Sequence, residues 1–318
     1  MRIARILAAL SLAAVAASAA AQYPNKPIKI IVPFPAGSAT DTVARILGQS
    51  VSTAVGQAVV VENKAGADGA IAGAEVAKAA PDGYTLLLAT NSPMAVAPAM
   101  KKVPPYDPVA DFTPIADVGR YTFFLFATAS LPQRTLAEII AYAKANPGKL
   151  AYATGNTTGI VSFAQFNALA GTQMLHVPYK GEPAAITDLL AGRVHLIFAT
   201  PTTGLAHVKD GKLRAVVTSL KQRSPILPDV PTISEAGMPK FSILSWAALY
   251  GPAKMPRDIV ERLNREFVAA MKRPDVLAAM DKQAFILSPS TPEELGAFTK
   301  EQFEDYKRIL RESGIQPE

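Results

Sequence analysis

The chain has 318 residues, 49% of them hydrophobic and 18% charged, a formal net charge of +6 and no cysteine. The missing cysteines exclude disulfides, thiolate nucleophiles and thiolate metal sites together. Its 32 Lys and Arg are interspersed with 26 Asp and Glu rather than gathered in runs, so the positive balance describes a mixed solvated surface and excludes a nucleic-acid stripe.

Residues 1–21, "MRIARILAALSLAAVAASAAA", carry Arg2 and Arg5, then an apolar core, then Ala19-Ala20-Ala21. This pattern predicts a secretory signal peptide cleaved near Ala21, and hence a periplasmic protein; the apolar core is too short to span a bilayer. Losing the two arginines takes the charge from +6 to +4. The mature remainder has room for two domains of ordinary size.

Short apolar runs then alternate with helical patterns, as in an α/β protein with largely parallel sheets. Strands are expected at 28–32 ("IKIIV"), 59–63, 85–90, 122–127, 149–154, 174–179, 194–200 and 213–219. Helices are expected near 40–54, 69–79, 135–145, 159–169 and 183–191. "TLAE" (135–138) and "TPEE" (291–294) read as capping boxes, the first helix stopping at Pro147-Gly148 and the last at Gly314. Four prolines in 224–242 predict a connection over the surface. One more strand, 243–250, and a helix at 256–272 follow. This late return suggests that the C-terminal part completes the first domain.

In such sheets ligands settle at strand carboxyl ends, where loops open into helix N-termini. Two similar elbows stand there. "PFPAGSATD" (33–41) offers Phe34, Ala36, Gly37, Ser38 and Asp41; "TGNTTG" (154–159) offers Thr154, Gly155, Asn156, Thr157, Thr158 and Gly159. Their small residues let the backbone, at Gly37 and Gly155 above all, approach a ligand, and unpaired amides at a helix start favour an anion. Neither elbow has the Lys of a P-loop or the glycine spacing GxGxxG, so a small carboxylate fits better than a phosphate. Asp41 is either a cap, reaching back to the amide of Ser38, or a discriminator that meets a ligand amine or a water. "ATNSPM" (89–94), with Thr90, Asn91 and Ser92, and "ATPTTG" (199–204), with Thr200 and Thr202, either line the cleft or make turns. His176, His195 and His207 read as structural, with no metal-pair spacing, and no GxSxG or HExxH motif is present. No catalytic residue, metal or cofactor is expected.

"YPNKPIKIIVPFPAGSATDTVAR", "VVVENKAGADGAIAGAEVAKAAPDGYTLLL", "ANPGKLAYATG", "HVPYKGEPAAITDLLAGRV" and "RSPILPDVPTISEAG" together resemble the Bug family of periplasmic solute-binding proteins, the TctC-like receptors of tripartite tricarboxylate transporters. The resemblance spans essentially the whole mature chain and includes Tyr179. It implies a two-lobed, type II-like Venus-flytrap fold, each lobe a mostly parallel sheet flanked by helices. The expected division is 22–120 plus 222–318 for the first domain and 121–221 for the second. It also implies capture of a small organic carboxylate and its delivery to the transporter's membrane subunits, with the elbow at 33–41 holding the carboxylate and the elbow at 154–159 closing on it. A periplasmic enzyme acting on a small carboxylate, or a ligand-sensing accessory to a signalling protein, is the alternative. Relatives often carry His soon after the second elbow and Asp-Asn after "HLIF"; here stand Ile160, Ala199 and Thr200. A less polar second lobe is therefore expected, with a monocarboxylate, aromatic acid or amino acid as ligand rather than citrate.

Overall fold

The computed structural model describes residues 23–317, so the signal-peptide reading of 1–21 lies outside the described residues. Two sheets organise the chain. The first contains β1 (Ile28–Val32), β2 (Val59–Asn63), β3 (Thr85–Thr90), β4 (Phe112–Tyr121), β10 (Trp246–Pro252) and β11 (Phe285–Leu287), in the order β11-β4-β10-β3-β1-β2. The second contains β5 (Phe124–Thr128), β6 (Ala151–Thr154), β7 (Leu175–Pro178), β8 (Leu196–Ala199) and β9 (Leu213–Thr218), in the order β7-β6-β8-β5-β9. Both sheets are mixed. β1 pairs in parallel with β2 and β3, and β6 with β7 and β8, whereas β10 and β5 run antiparallel to their neighbours.

Helices cover the sheets: α1 (Ala39–Val55), α2 (Ala70–Ala77), α3 (Leu136–Ala145), α4 (Thr157–Ala170), α5 (Glu182–Leu190), α6 (Pro201–Lys209), α7 (Arg257–Met271), α8 (Pro274–Lys282) and α9 (Pro292–Glu312). The near-continuous apolar run of β1 is buried because it lies between two parallel partners with helices against it. Thr135 with Glu138, and Thr291 with Glu294, form reciprocal capping boxes at the starts of α3 and α9.

Three differences from the sequence reading have local causes. β4 was not expected, because Pro114 and Gly119 argue against a strand. Its ladder with β10 shifts register at Ala247/Ala248 and Leu249/Tyr250, and Gly119 sits at φ +154°, so both residues are accommodated at irregularities. The second difference is α6, which was not among the expected helices: Pro201 occupies its first turn, where no amide bond is lost, and Gly204 lets the ring of Phe126 pack against the helix. Third, the Pro-rich connection 219–245 does more than cross the surface. It buries Ile233, Met238, Phe241 and Ile243, with Phe241 stacked on Phe198 at 5.4 Å between ring centroids. Burying each such side chain contributes roughly 1.5–3 kcal/mol.

The chain passes between the sheets twice. The first passage is only Thr122 and Phe123, between β4 and β5; the second is the 219–245 connection. Contacts also bridge the sheets directly. Asn91 Nδ2 donates to Thr158 Oγ1 at 2.7 Å, Thr202 Oγ1 donates to Gln283 Oε1 at 2.9 Å, and the hydroxyls of Ser92 and Thr157 share a hydrogen bond.

Candidate ligand-binding site

Between the two sheets lies a cavity of about 30 Å³, onto which four helix N-termini open. α1 contributes Ser38, Ala39 and Thr40; α4 contributes Gly155, Asn156 and Thr158; α5 contributes Gly181 and Glu182; α6 contributes Thr200. Phe34, Pro35, Thr90, Tyr121, Phe123 and Ser245 complete the lining. No Lys, Arg or His is among these residues. Positive potential comes instead from first-turn amides and helix dipoles, each of which favours an anion.

The first elbow is built by local constraints. Gly37 adopts φ +80°, which turns the chain into α1, and Ser38 caps the helix by accepting from the amide of Asp41 at 3.3 Å. Asp41 caps differently from expectation: its Oδ2 accepts from the Gly37 amide at 3.0 Å, one residue before Ser38, while the Ser38 amide bonds to Pro35 O. The same carboxylate takes Arg45 Nε at 3.0 Å and Asn63 Nδ2 at 2.9 Å. Burial pushes its pKa up, but the hydrogen bonds from Arg45, Gly37 and Asn63 outweigh that and hold it below the usual range. Asp41 is fully engaged and does not line the cavity. In this structure its hydrogen bonds order the elbow.

At the second elbow Asn156 caps α4 by accepting from the Gly159 amide at 2.9 Å. Gly155 has a reason other than ligand approach. A Cβ there would lie 2.4 Å from the Glu182 amide and 2.7 Å from the Gly181 carbonyl carbon, so its absence lets the starts of α4 and α5 touch. Gly37 likewise is required for its backbone angle, since a Cβ there would meet nothing within 4 Å.

Of the candidate residues, Phe34, Ser38, Thr90, Gly155, Asn156, Thr158 and Thr200 line the cavity, and the others do not. Ala36 and Gly37 are exposed. Asn91, Ser92 and Thr157 are buried in the bonds that join the two sheets, and Thr202 is held by Gln283. Thr154 bonds to His176 at 2.7 Å, Gly159 is held in the Asn156 cap, and the Tyr179 hydroxyl donates to Asp188 at 2.6 Å. None of the three histidines lines the cavity either.

The principal residue that sequence reasoning missed is Glu182. It is 8% exposed, lines the cavity, and its Oε2 accepts from the Thr200 amide at 3.1 Å, Thr200 Oγ1 at 2.7 Å and Thr203 Oγ1 at 3.0 Å. Burial drives its carboxyl above the usual range against the pull of Thr200, Thr203 and Asn156. The second half of the site therefore bears an acid, which the sequence reading did not include among its candidates. The signal was present: "YKGEP" follows a strand and opens a helix as the other elbows do. Across the cavity, Tyr121 donates to Thr40 Oγ1 at 3.0 Å, and burial keeps its hydroxyl protonated.

Residues 43–315 match the family described as "Tripartite tricarboxylate transporter family receptor". Protein BugT of Bordetella pertussis (strain Tohama I) is 34% identical to this chain, over 99% of each. Among solved structures, Rpa4515 of R. palustris with adipate superposes with a TM-score of 0.90 and 30% identity, covering 93% of this chain and 100% of that one. MatC of Rhodopseudomonas palustris with bound malate gives a TM-score of 0.85 and 29% identity, covering 91% and 100%.

Proposed function

This chain belongs to the tripartite tricarboxylate transporter receptor family, a family of periplasmic solute-binding proteins, and from that premise we propose that it captures a small organic carboxylate in the cavity between its sheets and presents it to a transporter's membrane subunits. The observation that carries this reading is the convergence of four helix N-termini on a cavity lined by no cationic side chain. Such a site suits one compact carboxylate, held by amides at fixed positions. Relatives crystallised with adipate and malate support the solute class.

The two lobes are residues 22–120 with 222–318, and residues 121–221. The cavity is lined from both lobes, so a solute in it contacts both and favours the closed form. The chain works in the periplasm after loss of residues 1–21. A thermal-shift screen of the mature protein against carboxylic acids tests the reading, because a solute that binds only the folded form raises the melting temperature. A panel of small carboxylates that leaves the melting temperature unmoved at millimolar concentration sinks it.

A further inference from the structure

Four helix N-termini prepare the cavity for a negative charge, yet Glu182 puts a carboxyl of its own among them. Three protein donors converge on its Oε2, the Asn156 side chain draws on the same carboxyl, and the group lines the cavity. No lining side chain is cationic, so nothing in the protein wall neutralises this group. A carboxylate solute placed beside it brings two like charges together in a water-poor site, which is strongly unfavourable unless one of them is compensated. The donors fix what kind of compensation is available. The hydrogen bonds from Thr200 N–H, Thr200 Oγ1 and Thr203 Oγ1 favour the ionised form but do not outweigh burial, so a cation brought by the solute is what would hold Glu182 as a carboxylate.

We infer that Glu182 makes the receptor selective for a zwitterion, an amino acid whose carboxylate lies on the first-turn amides of α1 and α4 and whose ammonium pairs with the Glu182 carboxylate at the start of α5. This rests on the carboxylate-receptor reading above and narrows it. Burial pushes the Glu182 carboxyl upward, as befits an acid whose cation arrives with the solute. Its charge also contributes, behind burial, to raising the Tyr121 hydroxyl at the end of β4 in the other sheet. Dicarboxylates, which bring a second negative charge and no cation, are disfavoured by the same arrangement.

The test is calorimetry on the mature protein with the common amino acids, with the 2-hydroxy and unsubstituted acids of the same carbon skeletons, and with adipate and malate. The expected result is an amino acid as tightest binder, at least ten-fold ahead of its hydroxy and unsubstituted counterparts. In Glu182→Gln that lead falls ten-fold or more while the counterparts hold or gain affinity. The wild-type comparison needs no variant and decides the matter even if Glu182→Gln folds poorly. A plain, hydroxy or dicarboxylic acid as tightest binder overturns the assignment but leaves a carboxylate receptor standing. Binding of no carboxylate of any kind overturns both.

Discussion

Asn91 and Thr158, 67 residues apart, are joined by a hydrogen bond of 2.7 Å that ties the end of β3 in the first sheet to the first turn of α4 beside the second. Asn91 is wholly buried, and its other amide hydrogen goes to Tyr306 Oη at 3.0 Å on the C-terminal helix. Both lobes and the last helix thus meet at one side chain. Removing the hydroxyl in Thr158→Val leaves half of the Asn91 donor capacity unmet in the closed form. The expected cost is about 1 kcal/mol, or roughly five-fold in solute affinity, read by calorimetry with the best acid from the screen. Undiminished affinity would show that this bond does not hold the lobes together.

Gly181 offers a cleaner probe of closure. Its backbone is extended, at φ 170°, so alanine fits the local chain, but a Cβ would stand 3.0 Å from Pro35 on the other lobe. Gly181→Ala is therefore expected to leave the melting temperature of the unliganded protein within a degree or two and to weaken solute binding several-fold. A large fall in melting temperature without a change in affinity would contradict this account.

Asp41→Asn removes a charge that orders the first elbow. The bonds to Gly37, Arg45 and Asn63 hold its folded pKa below the usual value near 3.8, after burial has acted in the opposite sense. The stability it contributes is present at neutral pH and is lost as the pH falls from the unfolded value through the folded one. The variant should lose about 1–3 kcal/mol at pH 7, and the gap to wild type should close in strong acid. Chemical denaturation at pH 7 and pH 3 measures both; a gap that stays constant with pH refutes the assignment.

His176 is half-buried, bonded to Thr154 and stacked on Tyr152 at 5.1 Å between ring centroids, and burial lowers its pKa from the ordinary 6.5. The unfolded chain therefore binds a proton on cooling pH before the folded chain does, and His176 lowers stability as the pH falls below about 6.5. Glu182, raised by burial, acts in the opposite direction. The His176 effect is isolated by comparing wild type with His176→Gln at each pH. The difference in unfolding free energy should move in favour of the variant between pH 7 and pH 5; a difference that does not change over this interval argues against a depressed pKa.

Much of the scaffold was legible because alternating apolar runs and caps are written locally. "IKIIV" followed by "PFPAGSATD" announces a buried strand, a turn and a helix start, and the structure has all three. β4 was hidden because Pro114 and Gly119 are tolerated only where its partner β10 slips register, which is a property of two distant segments. The site was half legible for a related reason. The strand-end argument reached Ser38, Asn156 and Thr200, but Glu182 looked like an ordinary acidic residue in a helix's first turn. Its significance comes from Thr200 and Thr203, which the second sheet brings against it. Tyr121, at the end of β4, and Phe123, in the passage between sheets, line the cavity from a stretch that carries no motif.

That two-residue passage has a mechanical consequence. Tyr121 and Phe123 flank or form it, and Ser245 ends the longer return, so all three cavity walls stand beside the crossings about which any turning of one lobe on the other would centre. A solute pressing there acts on a very short lever arm: a torsional adjustment of a few degrees at Thr122 sweeps the distant rims of both lobes through a much larger arc. Were the lobes to turn about this passage, the jaws would be worked from beside their axle, and occupancy of the chamber would be broadcast as a change in the outline of the whole molecule.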